Sequence, residues 1–491
     1  MKGIYLYMTM CMAAMTFTSC TNDLEESLLP TETLVLTVGD YPAFQERTDT
    51  RAIGTFDPGK TAWASDDKVL VRITEGDNLT TATLTYNGSS WTADKTLTCP
   101  EGTFTLEAWY APAYSWNSDE LSSTAPGTGE FLQQTLAGQT ERNIEIDFSG
   151  VQRTYSRLRF VSSTNTPLEI TLSGFTPAGD DTSQSDYTAT LTTDSKGNAY
   201  LYGLWNANAK LTVSADYLTT DIEKTLRTSV PAQSYALDTP QTITEEELKK
   251  WCGSATDITG YYRLEADIDL SDDGNWTPIG NATTNRVQGR FIGTFDGDGH
   301  TITGLTSNSG GDFGLFRTIG EGGVVKNMNI SCNISGNGGF KGGIAANNYG
   351  TIENCHVSGT ISGSNRIGGI AGYNTYTTTS GAQIIACSNT ASINGTDDVG
   401  GICGDNNRST VLACYNTGEI KKNSEDGGAI CGYNRGTVTS CYYTQGTGVG
   451  TQVTEWNDAI NDMNSVLQAA GYSYQYELDT NSGLPVIKTT E

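Results

Sequence analysis

The chain has 491 residues, with 56 acidic against 29 basic and a formal net charge of −27. That balance excludes nucleic acid as a partner and any electrostatic hold on anionic lipid. Its length allows two or three domains. Residues 1–19 read as a secretion signal: Lys2 is the sole charge, a Met-rich apolar stretch follows, and small residues precede Cys20. No later segment is apolar for long enough to span a bilayer. From Leu34 to about Leu237 the chain is Thr/Ser-rich and alternates with period two. Val69–Ile73, Ala82–Tyr86, Thr103–Tyr110, Asn143–Phe148, Arg157–Val161, Glu169–Leu172 and Tyr187–Thr192 are the clearest strands, and Asn87-Gly88 turns one hairpin toward Trp91. Strands at this spacing, without helical periodicity, predict β-sandwich. Two sandwiches are expected, over 20–140 and 141–240.

Thr244-Glu245-Glu246-Glu247 is a capping box and predicts a short helix through Trp251, stopped near Gly253. A repeat then begins. Gly314-Leu315-Phe316, Gly343-Ile344-Ala345, Gly369-Ile370-Ala371, Gly401-Ile402-Cys403 and Ala429-Ile430-Cys431 are five copies of one phrase. The step is about 27 residues, lengthened by a Thr-rich insertion at Tyr376–Ser380, and repeats of that size stack. After each phrase the pattern alternates, as in Cys355, Val357, Gly359 and Ile361. Ile352 and Cys355 lie an odd number of steps apart, so a corner is expected between them, and glycines are expected at the corners. Such strands predict a parallel β-helix over 241–491. Thr454 is expected to open a second helix, with an apolar stripe of Trp456, Ile460, Met463, Val466, Leu467 and Ala470 and an end at Gly471. The two short helices are expected to cap the solenoid.

Eleven cysteines in an exported chain point to disulfides. The repeat argues otherwise, because Cys355, Cys387, Cys414 and Cys441 recur once per rung, as do Cys403 and Cys431. Stacked side chains point the same way and read as small interior hydrophobes.

Three stretches carry family resemblances. Gly368-Gly369-Ile370-Ala371-Gly372-Tyr373-Asn374, with the entry Asn275-Trp276-Thr277-Pro278-Ile279-Gly280 and Phe291-Ile292-Gly293-Thr294-Phe295-Asp296-Gly297, resembles the GLUG repeats of bacterial surface proteins. The resemblance implies a right-handed β-helix; Arg317 and Ala346 stand where it prefers Gly. Phe17-Thr18-Ser19-Cys20 resembles a lipobox, which implies a lipidated Cys20. The acidic Asp23, Glu25 and Glu26 resemble the export tag of Bacteroides-like lipoproteins, implying an outer-membrane, cell-surface location with the membrane met through the lipid alone. Thr50–Gly54, Trp63 ahead of Asp66-Asp67-Lys68-Val69, Tyr86-Asn87-Gly88 with Trp91, and Tyr155–Phe160 resemble the fimbrillins of type V pili. That family implies other pilin subunits as partners. It also implies a cut after Arg51, before Ala52, with Arg47 as a second site. The strand lost would be Thr33-Leu34-Val35-Leu36-Thr37-Val38.

No HExxH, G-x-S-x-G or Walker loop is present. Cys355 and His356 are adjacent on a strand and so face opposite ways. His300 sits in the turn Asp298-Gly299-His300, and Asp269–Gly274 imitates a Ca²⁺ loop without its closing Glu. The expectation is therefore no catalytic residue, no metal and no cofactor. The function expected is a fimbrial tip adhesin assembled by donor-strand exchange, with the β-helix displayed toward a surface glycan or protein. The alternative is a lone surface lipoprotein that binds or processes carbohydrate. Tyr349, Tyr373 and Tyr433 are the candidate ligand-binding tyrosines.

Overall fold

The computed structural model describes residues 33–41, 60–180, 182–281, 288–308, 310–377, 381–422, 427–472 and 474–488. Cys20, Arg47, Arg51 and Ala52, the expected anchor and cleavage sites, lie outside the described residues. The chain divides into two compact units. One comprises residues up to Pro42, Ala62–Ser122 and Leu132–Val151; the other holds Ser123–Phe131 and everything from Gln152 onward.

In the first unit Lys68–Glu75 lies between Asn78–Tyr86 and Phe104–Tyr110, antiparallel to both. Its Val69, Val71 and Ile73 are buried, the alternation that a half-covered sheet requires. Val35–Val38 runs parallel to Asn143–Ile146 in a separate two-stranded sheet. This pairing corrects the expected boundary at 140. Asn143–Ile146 belongs to the first unit, because its partner strand and the unit's share of the core hold Ile144 and Ile146.

The second unit opens with a sandwich. Pro167–Pro177 bends at Gly174, whose φ is +62°. Its first half pairs with Gln184–Thr192 and Lys210–Ser214, and its end pairs with Asn198–Trp205. One strand thus serves both layers, which enclose Phe160, Ile170, Leu172, Phe175, Leu201 and Leu211.

A parallel β-solenoid of about five turns follows over 294–443. Each turn adds strands to a long sheet, a short sheet built on Phe316–Ile319, Ala345–Asn348, Ala371–Thr375, Cys403–Asn407 and Cys431–Asn434, and a narrow sheet that starts at Asn365–Gly368. The predicted register is present: Met328 pairs with Cys355, and Cys387, Cys414 and Cys441 continue that buried column. The nine described cysteines are free, and Sγ of Cys403 lies 3.5 Å from Sγ of Cys431, against ~2.05 Å for a bonded pair.

The corner between Ile352 and Cys355 falls at Asn354. Its column is Asp298, Asn327, Asn354, Ala386, Ala413 and Ser440, all left-handed with φ between +47° and +54°. Glycine was expected at corners, but this corner has none. Asn and Asp reach that conformation at little cost, and the alanines stand where the second helix packs over them. Glycines mark close backbone approach instead. A Cβ at Gly404 would stand 2.5 Å from the Arg366 carbonyl carbon, and one at Gly432 2.3 Å from that of Asp398. Arg317 and Ala346, where Gly was preferred, precede the first strand of the narrow sheet in the chain.

Helix α1, Glu245–Lys250, has its capping box formed between Thr244 and Glu247. It covers the solenoid's opening with Leu248 and Trp251, which join the interior cluster. At the other end residues 444–453 cross the last rung: Thr447 accepts from Ala429 N–H at 2.7 Å, and Val453 N–H donates to Tyr443 at 2.8 Å. Helix α2, Asn457–Ala469, begins three residues after Thr454, with Trp456 at its N-cap packed on Tyr415 at 5.2 Å. Its Ala459, Ile460, Met463 and Leu467 lie along the solenoid's flank against Ile385, Ala386, Ala413 and Tyr415. Gly471 follows it with φ +83°.

Candidate functional site

The outward face of the long sheet is a ladder of polar residues. Alternation buries Met328, Cys355 and Cys387, so their neighbours Asn329, His356 and Ser388 face out in one column, followed by Tyr415 and Tyr442. A hairpin of Gln475–Leu478 and Pro485–Lys488 lies over part of this face. It is held there by Tyr415 Oη donating to Pro485 O at 2.5 Å and Tyr476 Oη donating to Ala413 O at 2.9 Å. Between hairpin and sheet is a cleft of about 560 Å³. Asn329, Asn354, His356, Ser388 and Thr390 form its floor, and Leu484–Ile487 one wall.

The floor is hydrogen-bonded across rungs. Asn354 Nδ2 donates to Asn327 Oδ1 at 2.8 Å, and Asn327 Nδ2 to Asp296 Oδ1 at 3.0 Å. Asn329 Nδ2 donates to Gly299 O at 2.9 Å. His356 Nδ1 lies 2.8 Å from Ser388 Oγ, and its Nε2 3.4 Å from Thr390 Oγ1. Burial pushes the His356 pKa down, which keeps the ring neutral. Ser388 and His356 have the separation of a nucleophile and its base. Among the described residues no carboxylate comes within ion-pair distance of that ring to orient it.

The candidate tyrosines are not brought together. Tyr373, Asp405 and Tyr433 are in register on successive strands of the short sheet, whereas Tyr349 lies beyond that sheet's Asn348 at the next corner. Tyr373 is committed to packing: the Arg366 guanidinium lies 4.8 Å from both its ring and that of Phe340, and Asn407 Nδ2 donates to its hydroxyl at 2.9 Å. Tyr433 is 43% exposed beside Arg435. Between them Asp405 is fully buried and binds Arg366 at 3.0 Å. Burial raises its carboxyl, and Arg366 and Arg435 oppose that.

The imitation Ca²⁺ loop is a polar turn. Asp269 accepts from Ser271 and Thr303, and Asp273 binds Lys249 at 2.7 Å. Among the described residues no cluster of His, Cys, Asp or Glu could hold a metal. His300 Nδ1 lies 3.1 Å from Asp267 Oδ1, on the surface. No described helix is long and apolar enough to cross a membrane.

In the first unit the strand expected to be exchanged is in place. Val35, Leu36, Thr37 and Val38 pair with Asn143–Ile146, and Thr33 bridges Thr98. Leu34 is buried and its N–H donates to Leu97 O at 2.8 Å.

Two features escaped the sequence. The cleft needs the C-terminal hairpin as a wall, and no local pattern says where a hairpin docks. The other is a pair of buried asparagine ladders. Asn348, Asn374 and Asn406 each hand Nδ2 to the next Oδ1 at 2.8–2.9 Å, ending at Asn434, as Asn389 does to Asn416 at 2.8 Å. The signal of the first ladder is visible in the last four copies of the repeated phrase, where Asn stands five residues after the start; the first copy has Ile319 there.

No family model matches the chain. A candidate Gly-rich membrane protein of Evansella cellulosilytica is 36% identical over 102 residues, and the halomucin of Haloquadratum walsbyi 40% over 103; each alignment covers 19% of this chain. The matched stretch spans 11% and 1% of those two proteins. Among solved structures, a candidate immunoglobulin A1 protease of Bacteroides ovatus aligns at 19% identity and TM-score 0.39, over 51% of this chain and 93% of that one. A candidate cell-adhesion protein of Bacteroides fragilis aligns at 12% and 0.28, over 42% and 92%, and a fimbrial protein of Bacteroides ovatus at 11% and 0.24, over 42% and 48%.

Proposed function

We propose that this chain is an adhesive subunit of a cell-surface fibre, anchored first through Cys20 and carrying the solenoid as its binding head. The observation that carries the reading is the strand Val35–Val38. Among the described residues Val35–Val38 pairs with one strand, while Thr33 and the buried Leu34 just before it meet Thr98 and Leu97. A short strand held by a few such bonds can leave and be replaced by a strand of another subunit, which restores the same backbone bonds and the same apolar contact. A cut after Arg51 or Arg47 would free it. The strand Pro485–Lys488 is committed to the flank through its hairpin and Tyr415, so it is a poor donor. A subunit that accepts a strand while keeping Pro485–Lys488 engaged fits a fibre tip better than a shaft.

Immunogold labelling of cells tests this. Label at fibre ends supports the tip, label along shafts refutes it, and label confined to the envelope favours a lone lipoprotein. The double variant Arg47→Ala, Arg51→Ala should stay folded and stop entering fibres. The second reading, a carbohydrate-binding lipoprotein outside any fibre, is favoured by the cleft and shares its chemistry. Binding rather than cleavage is inferred in both, because among the described residues no carboxylate orients the His356–Ser388 pair.

A further inference from the structure

The floor of the cleft offers hydrogen-bonding atoms that the fold leaves unused. Asn329 and Asn354 each spend the amide nitrogen within the protein. Their amide oxygens accept no hydrogen bond from any described residue. They stand beside the Ser388 and Thr390 hydroxyls and the His356 ring in a space of about 560 Å³, inside the ~300–1,000 Å³ range of small-ligand sites. Among the described residues no Lys or Arg lines the cleft, and Asp298 is the one carboxylate. A sulfated or carboxylated ligand would find no cation there and would meet the chain's net charge of −27. The wall Leu484–Ile487 is apolar, and Val486 is 38% exposed. A row of amides and hydroxyls facing an apolar strip complements sugar rings, which carry hydroxyls at their edges and C–H groups on their faces.

We propose that this cleft binds a neutral oligosaccharide, its hydroxyls held by the amide oxygens of Asn329 and Asn354 and the hydroxyls of Ser388 and Thr390, which His356 orients, and its ring faces laid on Leu484–Ile487. The proposal deepens the reading of the solenoid as a binding head and rests on it. An extended peptide fits less well. The floor strands are already paired with the rungs on either side. On the wall, Pro485 has no N–H, and its carbonyl is taken by Tyr415.

The test is an array of neutral, sialylated and sulfated oligosaccharides probed with the exported full chain, followed by titration of the best binder. The variants are built from the molecule's own precedents. Asn354→Ala copies Ala386 and Ala413, which hold the same left-handed corner. His356→Ser copies Ser388, the next residue in its column. The double variant should stay folded, with a melting temperature a few degrees below the parent's at most, and lose at least about tenfold in affinity, the expected effect of removing the Asn354 acceptor and the ring that orients Ser388 and Thr390. Tyr433→Ala, on the short sheet, should bind as the parent does. Absence of binding to every neutral glycan, preference for acidic ones, displacement by a peptide, or sensitivity at Tyr433 with none at Asn354 and His356 would each overturn the proposal. The array reads isolated protein, so its outcome is independent of whether the chain enters a fibre.

Discussion

Asparagine carries much of this fold's specificity. Asn406 is fully buried, takes a hydrogen bond from Asn374, and gives one to Asn434 at 2.8 Å and another to Thr437 O at 3.4 Å. An amide has two donors and an acceptor, so one residue type can pass a bond up and down a stack without a break. Asn406→Ala would leave Nδ2 of Asn374 and Oδ1 of Asn434 short of partners in the interior. The expected loss is ~2–4 kcal/mol, read by denaturant unfolding. Asn333→Ala, on the exposed face, should stay within ~0.5 kcal/mol; equal losses at both sites would show that the ladder contributes nothing special. Glu353 gives a pH signature. Burial raises its carboxyl, with Lys326 and a bond from Tyr474 opposing. A raised pKa in the folded chain means that its charged form costs stability. The cost is absent at acid pH, where folded and unfolded chains are both protonated, and it appears as pH rises from the unfolded value of ~4.3 through the folded one. Glu353→Gln should therefore match the parent in acid and exceed it in Tm at neutral pH. A Tm difference independent of pH would contradict this.

At the scale of the rung, the repeat was legible because it is local. One phrase about every 27 residues fixes the register, and parity alone put a corner between Ile352 and Cys355, which the structure resolves to Asn354. What parity could not supply was the identity of the corner residue. Gly, Asn, Asp and even Ala can adopt left-handed φ, and the choice depends on what packs outside. Glycine is specified by a neighbouring backbone, and that neighbour is a tertiary fact. Gly404→Ala should therefore be far worse than a change at a corner. Its Cβ would press on the Arg366 carbonyl carbon at 2.5 Å, so the narrow sheet must move, at an expected ~1–3 kcal/mol. Ala413→Gly, at a true corner, should lose less than ~1 kcal/mol. Helix α2 was legible from its stripe, but its docking was not. An apolar stripe says that a face is covered and is silent on whether the cover is an end or a flank. Met463 is fully buried on the flank, so Met463→Ala should loosen α2 and the hairpin with a loss of ~2–4 kcal/mol. Hydrogen exchange should speed up there while rungs 324–361 stay protected.

For the molecule as a whole, the sequence divides sandwich from solenoid near 240, whereas the structure joins them in one unit. The joint is chemical as well as spatial. Thr294 N–H donates to Ser163 Oγ at 3.1 Å, and that hydroxyl donates to Gly260 O. Arg263 bridges Asp238 of the sandwich at 3.0 Å and Asp296 of the solenoid at 3.2 Å. Tyr217 meets Tyr262 edge to face at 6.1 Å. Immediately after the sandwich strand Ser234–Asp238, Gln241–Ile243 pairs with Tyr261–Leu264 as the first strand of the long sheet. A seam of this kind couples unfolding, because opening it breaks the bonds of Ser163 and Arg263 across it together with the packing around them. Calorimetry of the full chain should therefore show two transitions, one for each compact unit. Three transitions in the parent chain would mean that the seam is too weak to matter. Ser163→Val with Arg263→Ala should split the larger transition, the sandwich melting apart from the rungs. If the coupling holds, a load taken by the sandwich passes directly to the first rungs, and a head that binds at the cleft is held by more than a linker.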